Sequence, residues 1–281
     1  MVSHAEMGTF WRFNGKKASD ADLRNGVALG TVEPMQVLAT NLKPRRGQPM
    51  MAVGALELVA GTGIVSDANA SALSPRQILL ASISSYLDGA LPAGTLRENV
   101  LVDFDVEQFK SGDVLAIGAT ARIRLTYLCE TCHKLLVDAS TVATLQGRRG
   151  FLGRVIESGR VRAGDVIAVE RARYAQLPNR VRERVFDLVA NVPRGRVVDY
   201  LTAIIVLGLP SIAYARVLPR LLTTAPPEVP IHRMVASGLR LITAHVPRQH
   251  ELLCAEGVSI RNGVVLNEHA WQAAEYFGDV W

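Results

Sequence analysis

The sequence predicts an α/β protein with a β-rich N-terminal domain and a mainly α-helical C-terminal domain. Its 281 residues are 49% apolar and 20% charged, which is enough to bury two cores. Residues 31–170 alternate short Val-, Ile- and Leu-rich runs with Gly-Asp and Gly-Thr turns, a pattern typical of strands. After Asn179 the apolar spacing becomes helical, as in Val185, Leu188 and Val189. The two halves of the chain therefore have different predicted structures.

The change of pattern predicts a domain boundary near residues 172–180. Residues 161–170 indicate a turn and a short strand that end the first domain. We therefore expect one domain at 1–172 and a second at 180–281. Residues 1–30 fit either a strand or an ordered arm.

Two helical segments on either side of Gly208-Leu209-Pro210 predict a helix-turn-helix. The first helix is expected at 199–207 and the second from Ser211 to Leu222. Pro219 falls inside the second helix, where its missing N–H should kink or end it.

The positive charge of the chain is concentrated in its second part. The net charge is +5; residues 171–281 hold 13 Arg, no Lys and 9 acidic residues (13 − 9 = +4), and residues 1–170 hold 18 basic and 17 acidic residues (+1). Arginine suits phosphate contacts because its guanidinium is planar, forked and permanently charged. An arginine-rich surface with no nucleic-acid role is the alternative.

Nothing in the sequence indicates export or membrane insertion. No run of about 18 apolar residues is present, and the N-terminus lacks the pattern of a signal peptide. We expect a soluble, cytoplasmic protein with no membrane partner, in a compartment that keeps the three cysteines reduced.

Cys129-Glu-Thr-Cys132-His133 has the spacing of a c-type haem attachment site or of half a zinc site. Haem attachment requires export, and a structural zinc requires four ligands, whereas Cys254 lies in the other predicted domain. Two small thiols buried in a β-core are the plainer alternative.

Residues 30–170 resemble a MOSC domain, the module at the C-terminus of molybdenum cofactor sulfurases. The motifs in chain order are Gly61-Thr-Gly63-Ile-Val-Ser-Asp67-Ala-Asn69, Ser74-Pro-Arg76-Gln77, Leu96-Arg97-Glu98-Asn99, Ser111-Gly112-Asp113, Leu128-Cys129-Glu-Thr-Cys132-His133 and Gly147-Arg148-Arg149-Gly150. The resemblance implies a β-rich barrel that carries sulfur or holds molybdenum cofactor through a cysteine.

The MOSC resemblance also implies a set of site residues. Cys132 corresponds to the catalytic thiolate and molybdenum ligand, with Cys129 as a second thiol. The residues expected to bind the cofactor are Arg76, Arg97, Asn99 and Asp67. Arg76 and the segment around Arg97 could equally be ion-paired scaffold residues.

Residues 180–271 resemble the DNA-binding domain of alkylguanine-DNA alkyltransferases and alkyltransferase-like proteins. The motifs are Val192-Pro193-Arg194-Gly195-Arg196-Val197-Val198-Asp199-Tyr200, Gly208-Leu209-Pro210-Ser211-Ile-Ala-Tyr214-Ala-Arg216, Val229-Pro230-Ile231-His232-Arg233, Leu252-Leu-Cys254-Ala-Glu256-Gly257 and Trp271. The resemblance implies a winged-helix-like domain that binds double-stranded DNA and flips an alkylated or modified guanine into a pocket.

Individual roles follow from this second resemblance. Arg216 would fill the space left by the flipped nucleotide, and Tyr200 would press on its backbone. Ser211, Arg220 and Arg196 would contact DNA, while a structural alternative leaves Arg216 simply facing solvent. The expected pocket for the modified base consists of Tyr200, Pro230, Ile231, His232, Arg233 and Glu256.

Ile231 occupies the position at which active transferases carry the acceptor cysteine in Pro-Cys-His-Arg. In those enzymes a histidine, oriented by a glutamate, activates the thiolate; here these would be His232 and Glu256. Cys254 is two residues from Glu256 on a predicted helix, so their side chains should diverge. The sequence therefore predicts no alkyl transfer, and His232 and Glu256 are expected to persist as a hydrogen-bonded pair in the pocket wall.

The sequence favours a non-transferring protein that recognises modified guanine in DNA damage repair, with DNA repair proteins as partners. The MOSC-like domain would add molybdenum-cofactor or sulfur-carrier chemistry. The alternative is a molybdenum cofactor-dependent reductase or sulfur-transfer enzyme in which the C-terminal domain is a scaffold. A third reading is an interaction protein in which both domains have lost their chemistry.

Overall fold

The structure is a computed structural model that describes residues 34–89, 91, 94–131, 135 and 139–278. From Met35 onward the described residues belong to one compact unit. The expected arm at 1–30 and the cysteine Cys132 lie outside the described residues. We call residues 35–170 the N-terminal part and residues 180–278 the C-terminal part.

The N-terminal part is built on a sheet of eight strands in the order β11-β7-β8-β9-β5-β6-β1-β2, beside a smaller sheet in the order β10-β3-β4. The strands are β1 (Val37–Leu42), β2 (Met51–Ala52), β3 (Leu56–Val59), β4 (Gly63–Ile64), β5 (Ile78–Ser82), β6 (Val100–Val102), β7 (Val114–Ile117), β8 (Ala121–Leu128), β9 (Phe151–Glu157), β10 (Gly159–Val161) and β11 (Ile167–Glu170). Helix α1 covers Ala139–Thr144, and 3₁₀ segments cover 83–89 and 106–108. This confirms the prediction of a β-rich N-terminal part.

The strands of the N-terminal part pair in antiparallel fashion except β5 and β6, which are parallel. At the centre, β8 and β9 approach so closely that a Cβ on Gly153 would lie 2.6 Å from Ile123 Cγ2. Only glycine therefore fits at this crossing point. Ile78, Leu80, Ile123 and other aliphatic residues fill the core on one side of the sheet.

The C-terminal part contains four short helices and two small strand pairs among its described residues. They are α2 (Val181–Asn191), β12 (Val198–Asp199), α3 (Tyr200–Val206), α4 (Leu218–Leu222), β13 (Met234–Val235), α5 (Gln249–Ala255), β14 (Ile260–Arg261) and β15 (Val264–Val265). The 3₁₀ segments are Ile212–Arg216, Ile231–Arg233, Asn267–His269 and Ala273–Phe277. Helix α3 begins after Asp199, whose carboxylate accepts hydrogen bonds from the backbone N–H groups of Leu201 and Thr202.

The second helix of the predicted helix-turn-helix differs from expectation. Instead of one helix from Ser211, the structure has a 3₁₀ turn at Ile212–Arg216, capped by the Ser211 hydroxyl, and then the separate helix α4. Pro219 does not end a helix; it lies in the first turn of α4, where its missing N–H has no intrahelical partner to lose. The prediction for Pro219 was therefore wrong: the proline starts a helix.

The two parts share one hydrophobic core. Leu79, Tyr127 and Leu152 of the large sheet pack in the same cluster as residues of α2 and α3. The Arg184 guanidinium of α2 lies 3.8 Å from the centre of the Tyr127 ring and is almost fully buried. The apolar pattern therefore changes from strand to helix along the chain, but the packing is continuous between the two parts.

Candidate functional site

Glu256 is the centre of a hydrogen-bonded group that holds the segment Ile231–Arg233. Its Oε1 lies 2.8 Å from His232 Nε2 and accepts a hydrogen bond of the same length from an Arg233 Nη atom, and its Oε2 accepts from the Gly195 N–H at 3.0 Å. Arg233 also donates to the Val192 carbonyl at 2.7 Å. The carboxylate thus connects the end of α5, the turn after α2 and the Ile231–Arg233 segment.

The charge of Glu256 depends on these donors. Burial alone would raise the pKa of this carboxyl, but hydrogen bonds from Arg233, His232 and the Gly195 N–H outweigh burial and hold the pKa of Glu256 at about 2. The carboxylate is therefore ionised at every physiological pH. A fixed negative charge beside His232 is what orients an imidazole ring.

Gln249 supports the same segment from α5, and the sequence argument did not identify it. The side chain is fully buried; its amide N–H groups donate to the carbonyls of His232 and Met234, and its Oε1 accepts from the Ile242 N–H. A lone glutamine among apolar helix positions is only a weak signal, because an exposed glutamine gives the same pattern.

Ile231 and Tyr200 belong to the hydrophobic cluster of the C-terminal part. Pro230 precedes Ile231 as the N-cap of the 3₁₀ turn, and the parallel pairing of β12 with β13 holds this turn beside the start of α3. Tyr200 is 5% exposed, and its buried hydroxyl has no hydrogen-bond partner among the described residues. Burial raises the pKa of Tyr200 to about 12, so the phenol keeps its proton.

Four of the five predicted DNA contacts lie on the surface, whereas the fifth, Tyr200, is buried. Arg216 and Arg220 are exposed, on the 3₁₀ turn and on α4 respectively. Ser211 is exposed as well, but its Oγ accepts the Ala213 N–H at 3.2 Å as a cap. Arg196 is exposed on the turn after α2, and its guanidinium donates to the Glu268 carbonyl.

A second group of predicted residues meets in a cleft between the large sheet and the turn after α3, which we call the Arg76 cleft. It has a volume of about 140 Å³. Its lining consists of Lys43, Asn69, Arg76, Leu79, Arg97, Asn99, Arg149, Leu152, Leu209 and Pro210. Three of the four residues expected to bind the cofactor line this cleft: Arg76, Arg97 and Asn99. Lys43, Leu209 and Pro210 also line it and were not predicted from the sequence.

Asn99 and Asp67 build the wall of the Arg76 cleft. The Asn99 side chain accepts a hydrogen bond from the Leu79 N–H and donates to the Asn41 carbonyl and to Asp67 Oδ2. These bonds use the oxygen and both N–H bonds of the Asn99 amide. Asp67 does not line the cleft; it also accepts the N–H groups of Lys43 and Asn69. Asp67 therefore positions cleft residues.

Cys129 is 2% exposed and packs in the shared core, with an Arg76 Nη atom 3.9 Å from its sulfur. In this position it is a buried thiol of the β-core. Cys132, the residue assigned to the catalytic and molybdenum-binding role, lies outside the described residues, and so do His133 and Lys134. Cys254 is exposed on α5.

Residues 68–168 match the family model of the MOSC domain. The chain contains a MOSC domain. The N-terminal part thus holds a MOSC-like half-barrel sheet, where the sequence predicted a β-rich MOSC-like barrel.

Solved structures are similar to both parts. YuaD from Bacillus subtilis is 21% identical over 48% of this chain and 95% of its own (TM-score 0.41), and YiiM from Geobacillus stearothermophilus is 13% identical over 79% and 99% (TM-score 0.38). S. pombe Atl1 in complex with damaged DNA containing O6-carboxymethylguanine is 30% identical over 32% of this chain and 94% of its own (TM-score 0.29). A search of curated proteins finds no match. Among the described residues, no helix has both the length and the apolar character needed to cross a membrane.

MOSC domains are associated with molybdenum cofactor, so the fit of that group to the Arg76 cleft can be examined. The cations suit a phosphate, but the cleft has less than half the volume, about 300 Å³, at which pockets for organic ligands begin. Asn99 has no side-chain donor left, and the Cys129 sulfur is buried. The described residues do not fit a whole pterin cofactor.

Proposed function

We propose that the C-terminal part binds duplex DNA at an alkylated or modified guanine and does not accept the alkyl group. The observation that carries the proposal is the group formed by Glu256 with His232 and Arg233, next to Ile231. His232 and Arg233 directly follow the position at which a transferase would carry its nucleophile, and that position holds the aliphatic side chain of Ile231.

The chemistry of the Ile231 position supports recognition without transfer. Isoleucine has no lone pair or ionisable proton, so no covalent bond to an alkyl group can form there. Its branched side chain instead offers an apolar wall for the alkyl group of a flipped base. His232 and Glu256 keep that wall in place, since they are hydrogen-bonded to one another and Glu256 also accepts the Gly195 N–H.

Tyr200 offers a second reason to place a ligand near this segment. A buried hydroxyl without a partner costs the folded protein about 1–3 kcal/mol. A base recovers that cost on binding if the Tyr200 side chain turns outward, since the hydroxyl is buried in the free protein. The side chain is thus suited to a partner that the free protein does not supply.

The exposed arginines supply the electrostatic part of the proposal. Arg216 and Arg220 lie on consecutive short helical segments with their charge in solvent, where they can neutralise phosphates. A guanidinium can also stack in the gap that a flipped nucleotide leaves.

Fluorescence anisotropy at fixed salt tests the proposal. We expect the full chain to bind a duplex with a single O6-alkylguanine more tightly than the matched undamaged duplex. Arg216→Ala should lower affinity for the modified duplex at least about tenfold, or about 1.4 kcal/mol. The control Arg173→Ala removes an exposed arginine outside the segment 211–222 and should change the affinity little. Equal affinity for the two duplexes would contradict the proposal.

The competing proposal is a molybdenum-dependent reductase or sulfur-transfer enzyme that works through the MOSC domain. The observation in its favour is the set of cations around the Arg76 cleft. The small volume of the cleft and the buried Cys129 sulfur count against it. Molybdenum and pterin analysis of the purified protein and of Cys132→Ser separates the two: molybdenum and pterin bound to the native chain and lost from the variant would favour the enzyme.

A further inference from the structure

The outward face of the 3₁₀ turn before α4 is apolar around a single charge. Tyr214 and Ala215 pack against the core that the two parts share, whereas Ile212, Ala213 and Arg216 are exposed. Residues three apart align in a 3₁₀ helix, which places Arg216 one turn after Ala213 on the same side. The turn therefore presents the aliphatic side chain of Ile212 close to the Arg216 guanidinium.

Ile212 is the most exposed large apolar side chain among the described residues, at 68%. A single exposed apolar residue is common and needs no partner. Here, however, Leu201 and Ile205 of α3 and Val217 after the turn are exposed as well, and α3 packs against the turn. Four of the nine exposed large apolar side chains of the described residues thus lie within 201–217, which indicates a surface that a partner covers.

The turn holds Ile212 in a fixed position. The Ser211 hydroxyl caps the turn at its start, and the Val217 N–H donates to the Tyr214 carbonyl at 2.8 Å at its end. Isoleucine is branched at Cβ, so its side chain adopts few conformations about χ1. Little conformational entropy is therefore lost when Ile212 packs against a partner.

The charge of this surface fits a polyanion. No acidic residue lies between Asp199 and Glu228 in the sequence, and the Asp199 carboxylate is engaged as the cap of α3. The same stretch holds Arg216 and Arg220, and the Arg182 guanidinium donates to a backbone carbonyl directly after α4 at 2.9 Å. A surface that is both apolar and cationic fits the minor groove of duplex DNA, where aliphatic side chains enter between base pairs and arginines neutralise phosphates.

We propose that Ile212 is an apolar wedge that enters the minor groove of the modified duplex and packs between two base pairs beside the flipped nucleotide. This proposal rests on the proposed DNA binding and adds a positioning residue to it. Opening one base step in this way bends the duplex toward the major groove. It also removes stacking next to the modified guanine, which reduces the cost of turning that base out of the helix.

Bending of the duplex and unstacking of its bases test the wedge. Duplexes with a central O6-methylguanine carry either a donor and an acceptor dye at their ends or 2-aminopurine beside the modified base. We expect the full native chain, at saturation, to increase energy transfer between the dyes and to raise the 2-aminopurine fluorescence. Ile212→Ala should lose most of both signals and bind at least about fivefold more weakly, whereas Ile212→Leu should keep them. Leu252→Ala truncates an exposed apolar side chain on α5 and is the matched control, which should change neither signal.

The salt dependence of binding separates the wedge from a phosphate contact. Ile212→Ala removes no charge, so the slope of log affinity against log salt concentration should stay as in the native chain. Arg216→Ala should reduce the slope by about 1. An equal reduction in the two variants overturns the wedge, because the loss of Ile212 would then act by displacing a cation.

The failure of the wedge and the failure of the proposed function give different results. Preferential binding of the modified duplex with no bend, or with the same bend in Ile212→Ala, overturns the wedge and leaves the proposed function. Equal affinity for modified and unmodified duplexes, with a bend that depends on Ile212, contradicts the proposed function and leaves the wedge. Absence of duplex binding overturns both. Self-association of the native chain in sedimentation velocity that is lost in Ile212→Ala, with DNA binding unchanged, also overturns the wedge, because the surface would then be a contact between two copies of the chain.

Discussion

Replacing Glu256 by glutamine should destabilise the protein by removing one charge from the group around Ile231. A carboxyl whose pKa falls from its ordinary 4.5 to about 2 on folding contributes about 3 kcal/mol at neutral pH. Glutamine keeps the shape of the side chain and part of its hydrogen bonding. We therefore expect Glu256→Gln to lose about 2–3 kcal/mol, or about 5–10 °C in Tm for a unit of this size.

The loss should depend on pH in a defined direction. The pKa of Glu256 is lower in the folded protein, so its charge stabilises the fold fully above pH 4.5, and this contribution is lost as the pH falls through about 2. At pH 3 the difference between the native chain and Glu256→Gln should be about half of its neutral value or less. Urea denaturation of both proteins at pH 7, 5 and 3 measures this difference.

Glu251→Gln is the matched control, because Glu251 lies on the same helix in an exposed ion pair with Arg248. Exposed pairs contribute little, so this variant should lose less than about 0.5 kcal/mol at each pH. Equal losses in the two variants, or a Glu256→Gln loss that does not change between pH 7 and pH 3, would refute the reasoning.

Three further substitutions have expected outcomes. Gly208→Ala should destabilise the chain by about 1–3 kcal/mol in urea denaturation, because its Cβ would meet Pro75 and its φ is +63°; unchanged stability would show that the turn moves freely. Tyr200→Phe removes a buried hydroxyl without a partner, so it should leave stability unchanged or raise it by about 1 kcal/mol. The same change should weaken binding to the modified duplex. A clear loss of stability would indicate that the hydroxyl is hydrogen-bonded in the free protein. Ile231→Cys should acquire a labelled methyl group from O6-methylguanine DNA, whereas the native chain should not; label on the native chain would contradict the assignment of Ile231.

Much of the architecture was predictable because the apolar spacing of each part differs. The alternation around Gly112 and the strand at the end of the first part appear in the structure as β7, β8 and β11. The helical spacing at Val185 and at Tyr200 corresponds to α2 and α3. These segments were predictable because each repeats a local pattern over several residues.

The segment 211–222 was predicted less well. Its apolar residues fit one continuous helix, yet the chain breaks at Val217 and restarts with Pro219 in the first turn of α4. A proline has opposite meanings at the start and in the middle of a helix. The spacing of the apolar residues does not distinguish these two positions of a proline, because packing determines where the preceding 3₁₀ turn ends.

The candidate sites depended on contacts between distant residues. The order of the MOSC motifs predicted Arg76, Arg97 and Asn99 as cofactor-binding residues, and in the structure all three line the Arg76 cleft. Leu209 and Pro210 could not be assigned to it from the sequence, because they are more than 100 residues away from that group and were predicted to form the turn of a helix-turn-helix. Gln249 was missed because a lone glutamine on a helix is only a weak signal of a buried side chain.

The core shared by the MOSC domain and the C-terminal part also determines how the chain can be divided. Cutting the chain at residue 179 would expose Tyr127 and Leu152 on one fragment and Val185 and Leu188 on the other, all of which are buried in the intact protein. Neither fragment should then be a well-behaved soluble module. The chain should unfold in a single cooperative transition, and a mutation in the large sheet should lower the stability of the segment 211–222 as much as the stability of the sheet itself.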